Sequence, residues 1–456
     1  MLITEIKLRD YQQKCIDVTL ENIRSGNYKQ LVCLPTGSGK TVIISNLIPL
    51  IPSAISQATK VLVLENRIEL LHQVKAQIST FNPELDIQIE QSQNYANPLT
   101  TDVVVATVQT LIAKDTKNKS KTRLERFDPK EFKAVIVDEA HHAASKSYME
   151  VLNYFGVFRN DSNTLLWGCT ATPIRHDKLS LPAIFGPVLF QLDFMEMINQ
   201  GYLSNLKFAT VYTQQKKVNQ GTYLRLVVNS WKQLALEKHR KFTLVFAKNI
   251  REIQDLCNAF RNEGIKANFV TATTAIKNRE LILEDFKCGK LQVLVNCEIL
   301  IEGIDIPQVD CILLTRRTNS ASLFKQIVGR GSRLYKGKQD CLVIDFERNF
   351  ERLFVDREDD TEVFDIREKV FNTLPDQLFS ADQLFSERGE VIRREIYDEI
   401  DVTIKHYQNL RGLVAEMRQL QKEAEEMTEI TDSGNESVFF LLVEKIKKLL
   451  EDLRIM

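Results

Sequence analysis

The chain has 456 residues, 44% of them hydrophobic, which is room for about three domains of ~150 residues, each with its own core. No stretch approaches ~18 consecutive apolar residues and the start, MLITEIKLRDYQQ, lacks the basic and apolar regions of a signal peptide, so no membrane span or secretion is expected and the cytoplasm is the default location. The net charge is only −1, yet residues 1–350 carry ten more Lys and Arg than Asp and Glu, whereas residues 351–456 carry eleven fewer. A basic body with an acidic tail fits a protein that holds a polyanion and has a separate module that does not. Eight scattered cysteines without a C-x-x-C pair suit reduced core thiols better than disulfides or zinc.

Short β-branched runs alternate with longer amphipathic stretches, the pattern of βαβ units around a parallel sheet. The first set of expected strands is Gln30–Leu34, Val61–Leu64, Val103–Ala106, Ala134–Val137 and Thr164–Gly168. The segment Ala113–Phe132, rich in Lys, Asp, Thr and Asn with little apolar periodicity, reads as an exposed basic loop. A second set follows Gly201: Phe242–Phe246, Ala267–Val270, Leu291–Asn296, Cys311–Leu314 and Cys341–Ile344. Two tandem α/β lobes are therefore expected, at residues 1–205 and 206–350, joined in the polar stretch near 205–230. From about 385, apolar positions at Ile396, Ile400, Ile404, Tyr407, Leu410 and Val414 step by three and four. They predict an amphipathic helix or helical hairpin within an acidic helical extension, 351–456, available to a protein partner.

Two motifs carry chemistry. LPTGSGKT, Leu34–Thr41, follows an expected strand and opens a helix, the context of a phosphate loop for ATP. Backbone amides around Thr36, Gly37, Ser38 and Gly39 would turn onto the phosphates, Lys40 would supply a charge at the β and γ phosphates, and Thr41 would ligate Mg²⁺. Leu34 stands where the full pattern has glycine. VIVDEAHH, Val135–His142, ends a hydrophobic strand in adjacent carboxylates: Asp138 would hold the Mg²⁺ shell and Glu139 would polarise the attacking water. His141 is either a satisfied polar residue or a sensor of the γ phosphate.

Together with the GCTATPIR turn, Gly168–Arg175, these residues resemble helicase superfamily 2, and Asp138–His141 resembles its DEAH box. The resemblance implies two RecA-like lobes and coupling of nucleotide state to a bound strand through Thr170 and Thr172. LRDYQQ is similar to the family's adenine-reading segment, which implies that Gln12 bonds the base. LVLENRIELLHQ and VVVATVQTL resemble strand-contacting motifs and imply Arg67, Thr107 and Gln109 on a nucleic-acid backbone. In the second lobe, CEILIEGIDIPQVD resembles the motif that turns Gly303 and Asp305 to the nucleotide, although Ile301 replaces the usual Thr. QIVGRGSR, Gln326–Arg333, resembles the arginine-finger motif. With Arg330 and Arg333 three residues apart on one helical face, both could reach the γ phosphate when the lobes close.

The activity so implied is ATP-dependent translocation on, or remodelling of, nucleic acid, with DNA favoured over RNA. The alternative left open is an ATP-gated nucleic-acid-binding sensor or motor subunit that signals through its helical tail with little unwinding.

Overall fold

The computed structural model describes residues 7–53, 55–171, 181–213, 219–236, 238–297, 299–300, 305–354, 389–393 and 402–407. They belong to two compact units, Met1–Leu192 and Asp193–Met456. In the first, the strands are β1 (Lys29–Cys33), β2 (Lys60–Glu65), β3 (Ile87–Glu90), β4 (Val103–Thr107), β5 (Phe132–Val137), β6 (Leu165–Thr170) and β7 (Val188–Gln191). They form one sheet in the order β3-β4-β2-β5-β6-β1-β7, every pair parallel. Its helices are α1 (Asp10–Arg24), α2 (Lys40–Leu47), α3 (Ile68–Phe81), α4 (Val108–Ile112), α5 (Lys146–Tyr154) and α6 (Pro182–Phe185).

Strands β2, β4 and β6 are buried at every position, as Val- and Leu-rich runs must be when helices cover both faces of a parallel sheet. The fit is close at Gly168, where an added Cβ would lie 2.5 Å from the buried Phe185 ring. Trp167 is also fully buried, and its indole N–H donates to Thr19 Oγ1 at 3.2 Å, tying α1 to the sheet. Because all seven strands run the same way, the turns leaving β1, β2, β4, β5 and β6 emerge along a single edge, and the chemistry-bearing motifs sit there.

The second unit contains α7 (Phe194–Asn199), β8 (Asn205–Thr213), α8 (Gln220–Trp231), β9 (Thr243–Phe246), α9 (Ile250–Asn262), β10 (Ala267–Val270) and α10 (Ile276–Lys287). It continues with β11 (Val293–Asn296), β12 (Cys311–Leu314), α11 (Ala321–Gly329), β13 (Asp340–Asp345), α12 (Asn349–Phe354), β14 (Gly389–Arg393) and β15 (Val402–Tyr407). The sheet order is β10-β11-β9-β12-β13-β8-β15-β14. Six strands are parallel, and β15 and β14 add an antiparallel hairpin at the β8 end. Buried Trp231 anchors this core, donating to Thr243 Oγ1 at 2.8 Å and meeting the Phe260 ring edge-on.

All ten expected strands are present within a few residues of their expected bounds. Three expectations fail in whole or in part. The stretch near 205–230 is no linker, because Asn205–Thr213 is β8, paired with β13 over Asn205–Thr210, and Gln220–Trp231 is α8. Its lysines and threonines disguise the buried Leu206, Phe208, Ala209 and Val211.

The exposed basic loop expected at 113–132 holds for 113–121, apart from buried Asp115, and fails beyond, where Arg123, Leu124, Phe127 and Phe132 are buried. The helical reading also fails for Ile404 and Tyr407, which lie in β15. The run Val-Thr-Ile favours a strand, and β8 offers it an edge with open backbone hydrogen bonds. The other positions of the expected helices, including Ile396, Ile400, Leu410 and Val414, lie outside the described residues.

Candidate functional site

In the first unit, β5, β6 and β1 are neighbours, so the turns that follow them meet. The turn after β1 bends back through Gly37 and Gly39 at φ +87° and +78°, a region open to glycine at little cost. Helix α2 then starts at Lys40. The first helix clamps the loop from behind: the Tyr11 hydroxyl and Gln12 Nε2 both donate to the Ser38 carbonyl, the latter at 3.3 Å. Gln12 Oε1 also accepts from the Arg9 backbone N–H at 3.0 Å. Gln12 therefore holds the phosphate loop with the same amide that the resemblance assigns to the adenine, and Tyr11 is a clamp that sequence reading did not single out. Ser38 Oγ is buried with no hydrogen-bond partner among the described residues, which fits a loop shaped to receive phosphate oxygens.

At the end of β5, Glu139 adopts φ +47°, ψ +53°, a left-handed conformation that costs a non-glycine residue roughly 1 kcal/mol or more. The bend places its carboxylate against the phosphate loop, with Lys40 Nζ 3.1 Å from Glu139 Oε1. Burial opposes the charge of Lys40, but the carboxylates of Glu139 and Asp138 outweigh it and hold the ammonium pKa above its ordinary value. Burial likewise opposes ionisation of Glu139; Lys40 and His141 overcome it and keep this carboxyl well below the usual range. Asp138 goes the other way, its pKa raised by burial beyond what Lys40 offsets, with the neighbouring Glu139 charge adding to the rise.

Asp138 Oδ1 accepts from the Glu139 backbone N–H at 2.8 Å and from the Cys169 thiol at 3.0 Å. Burial and then the Asp138 charge push that thiol far up, so it stays protonated and keeps donating. Read from the sequence as a core filler, Cys169 is a positioning residue for Asp138 as well.

His141 Nδ1 lies 3.3 Å from Glu139 Oε2 and 3.2 Å from Thr170 Oγ1 at the end of β6. Lys40, Glu139, His141 and Thr170 thus form one continuous polar chain from phosphate loop to β6. Thr172 lies outside the described residues. The donor set fits Mg²⁺, whose hard oxygen preference suits the Asp138 carboxylate and Thr41 hydroxyl with phosphate oxygens completing the shell. Among the described residues no group of three or more His, Cys, Asp or Glu side chains converges as a metal cage.

Further along the same edge, the turns after β2 and β4 bring Arg67, Thr107 and Gln109 to one open cleft of about 810 Å³. Gln109 is exposed, but Thr107 is buried and its hydroxyl caps α4, accepting from the Thr110 N–H at 3.2 Å. The cleft is also lined by Gln91, Gln93 and Lys114, which no motif marked.

In the second unit, Gln326 is buried on α11, which ends at Gly329. Arg330 caps that helix and Arg333 lies beyond it, so the expectation of two arginines on one helical face is incorrect. The helix gives way because Gly331 is pressed onto the sheet: a Cβ there would lie 2.3 Å from Cys341 Sγ and 3.0 Å from Ile312 Cδ1. Both arginines nevertheless line one small hollow with Leu244 and Ile306. Arg333 Nη1 lies 3.2 Å from Asp305 Oδ1, joining two residues picked from separate motifs. The Lys338 ammonium, missed from sequence, fixes the loop by donating to the Gly331 and Arg333 carbonyls at 2.6 and 2.8 Å. Gly303 lies outside the described residues.

Known families match both units. The family described as "Type III restriction enzyme, res subunit" matches residues 5–175, and that described as "Helicase conserved C-terminal domain" matches residues 227–335. Together the two matches are consistent with a helicase of superfamily 2.

Similar proteins include IRC3 of Saccharomyces cerevisiae, provisionally described as an ATP-dependent helicase, 34% identical over 361 residues that make up 74% of this chain and 51% of that one. A protein of Schizosaccharomyces pombe, provisionally described as a mitochondrial ATP-dependent helicase, is 34% identical over 356 residues, 75% of this chain and 57% of its own. The chain thus spans little more than half the length of these relatives. Among solved structures, the ATP-dependent type ISP restriction-modification enzyme LlaBIII bound to DNA shares the fold with a TM-score of 0.57 at 20% identity, over 75% of this chain and 28% of that one.

Proposed function

We propose that this chain hydrolyses Mg-ATP to translocate on or remodel nucleic acid, with DNA favoured and RNA possible, and that it is a DEAH-type member of its superfamily. The observation that carries the reading is the polar chain Lys40–Glu139–His141–Thr170, because it joins a phosphate loop to the strand end that runs into the Thr-Ala-Thr turn.

Bound ATP would supply the anhydride to be cleaved, and Mg²⁺ held by Asp138 and Thr41 would neutralise charge on its phosphates. Lys40 exchanges Glu139 for phosphate oxygens, which frees the Glu139 carboxylate to orient water and accept its proton. Asp138 and Thr41 hold the metal shell, with Cys169 keeping Asp138 in place. His141 carries the change to Thr170. Arg330 and Arg333 act on the developing charge of the γ phosphate, Asp305 and Lys338 hold the loop that carries them, and Gln326 and Gly303 serve the nucleotide. Arg67, Gln109 and Thr107 hold the strand. A DNA track is supported by the neighbour captured on DNA, and a cytoplasmic location competes with the mitochondrial description of the fission-yeast relative.

ATP turnover measured with single- and double-stranded DNA and RNA side by side tests this reading. Stimulation by a polynucleotide is expected, and Glu139→Gln is expected to bind ATP and strand yet scarcely turn over. Turnover indifferent to every polynucleotide would count against a motor, and wild-type turnover in Glu139→Gln would remove this residue as the base.

A further inference from the structure

The basic segment after α4 has no part in the ATP chemistry, and no strand-contacting motif includes it. It is nevertheless built with care. Glu90, at the end of β3, is 0% exposed and accepts from Arg123 and from Arg126, the latter at 2.9 and 3.0 Å. Arg123 also donates to the carbonyls of Ser92 and Asn94 at 2.6 and 2.7 Å, and Arg126 to that of Ala96 at 3.0 Å. The Tyr95 ring lies beneath three cations, with Arg123 at 4.0 Å, Lys117 at 4.2 Å and Arg126 at 4.8 Å from its centroid.

Arg126 Nε also lies 4.0 Å from the carboxylate of buried Asp115, so the two guanidiniums are matched by the Glu90 and Asp115 carboxylates. What the arrangement provides is a fixed shape: residues 113–123 are stapled to the turn after β3, with Lys114, Lys117, Lys119 and Lys121 exposed and Lys114 at the wall of the Arg67–Gln109 cleft.

We propose that this stapled loop is a further nucleic-acid-binding element of the first unit, its lysines gripping the phosphodiester backbone of a single strand beyond the cleft that holds Arg67 and Gln109. The proposal rests on the reading of the chain as a nucleic-acid motor and adds a site to it. Three observations converge. The loop leaves α4 at Ala113, about one helical turn after Gln109, so a strand lying on that cleft passes the loop next. Residues 113–123 hold five cations against one carboxylate, and Asp115 is occupied by the Lys117 N–H at 2.9 Å. Finally, the Glu90 staple fixes the lysines before binding, so less ordering is lost when a strand arrives.

The test is the triple variant Lys114→Ala/Lys119→Ala/Lys121→Ala in the full chain, which spares Lys117 on the Tyr95 ring. Its binding to labelled oligo-dT and oligo-rU is followed by anisotropy from 50 to 300 mM salt. Each phosphate contact to a single strand contributes ~0.7 to the log–log salt slope, or about 4-fold in affinity near 0.15 M, so three contacts predict a slope lower by about 2 and binding weaker by about 50-fold. ATP turnover without nucleic acid should match the wild type, and turnover at saturating strand should be recovered. The corresponding triple Lys→Arg variant should bind as the wild type does.

Equal losses on dT and rU would identify the shared backbone as the ligand, and a loss on only one would name its source. Unchanged affinity and slope in the alanine variant, with a wild type that binds strand, would overturn the loop site alone, as would a Lys→Arg variant as weak as the alanine one. A wild type that binds neither strand would overturn the motor reading together with it.

Discussion

Replacing Gly331 by alanine should damage the second unit without removing any charged group. The added methyl would stand 2.3 Å from Cys341 Sγ, 3.0 Å from Cys341 Cβ and 3.0 Å from Ile312 Cδ1, all belonging to buried residues on adjacent strands. Carbon cannot approach sulfur so closely, so either the sheet yields or the segment carrying Arg330 and Arg333 lifts away. Overpacking of this kind costs about 1–3 kcal/mol, or about 2–12 °C in the melting temperature of a unit of this size. Lifting the segment would also strain the Lys338 bonds to the Gly331 and Arg333 carbonyls, so ATP turnover should fall with ATP affinity kept. Thermal melts and steady-state kinetics of Gly331→Ala read both effects, and Gly331→Ala/Cys341→Ala, which removes the nearest atom, should recover part of each. Wild-type melting and turnover in Gly331→Ala would refute the packing on which this reasoning depends.

Thr170→Val keeps the side-chain volume but deletes the hydroxyl 3.2 Å from His141 Nδ1. A hydrogen bond contributes about 0.5–1.5 kcal/mol, so strand-stimulated turnover should drop roughly 2- to 12-fold while basal turnover changes little, and equal losses in both would deny a coupling role. Asp138→Asn should abolish turnover yet melt higher than the wild type at neutral pH. The sign follows from the raised pKa: the unfolded carboxyl loses its proton more readily than the folded one, so the ionised group costs stability above its folded pKa. That gap should close as pH falls and Asp138 takes up a proton, and a gap that widened in acid would contradict the assignment.

Strands buried on both faces were legible because little but Val, Ile, Leu and Ala fills them, as at Val103–Ala106 of β4 and Ile312–Leu314 of β12. The Leu34–Thr41 turn was legible because its left-handed positions call for glycine, found at Gly37 and Gly39. β8 was not, since Lys207 and Thr213 gave it the composition of a linker while its pairing with β13 is decided by a distant segment. Cys169 and Lys338 were invisible for a related reason: a thiol or an ammonium acquires its role from the partner it meets, and those partners, Asp138 and the Gly331 and Arg333 carbonyls, come from elsewhere in the fold. The helical phase of Arg330 and Arg333 was misread because α11 ends at Gly329, and the seat of Gly331 against Cys341 and Ile312, which leaves no room for a Cβ, is set by strands outside the motif.

The proposed function gives Arg333 a direct part in the hydrolysis of ATP. Single-turnover hydrolysis of bound ATP by Arg333→Ala, in the presence of saturating strand, tests it most directly. The account predicts ATP affinity close to the wild type and a rate lower by ~10³ to 10⁵. A hydrolysis rate within a few-fold of the wild type would contradict it.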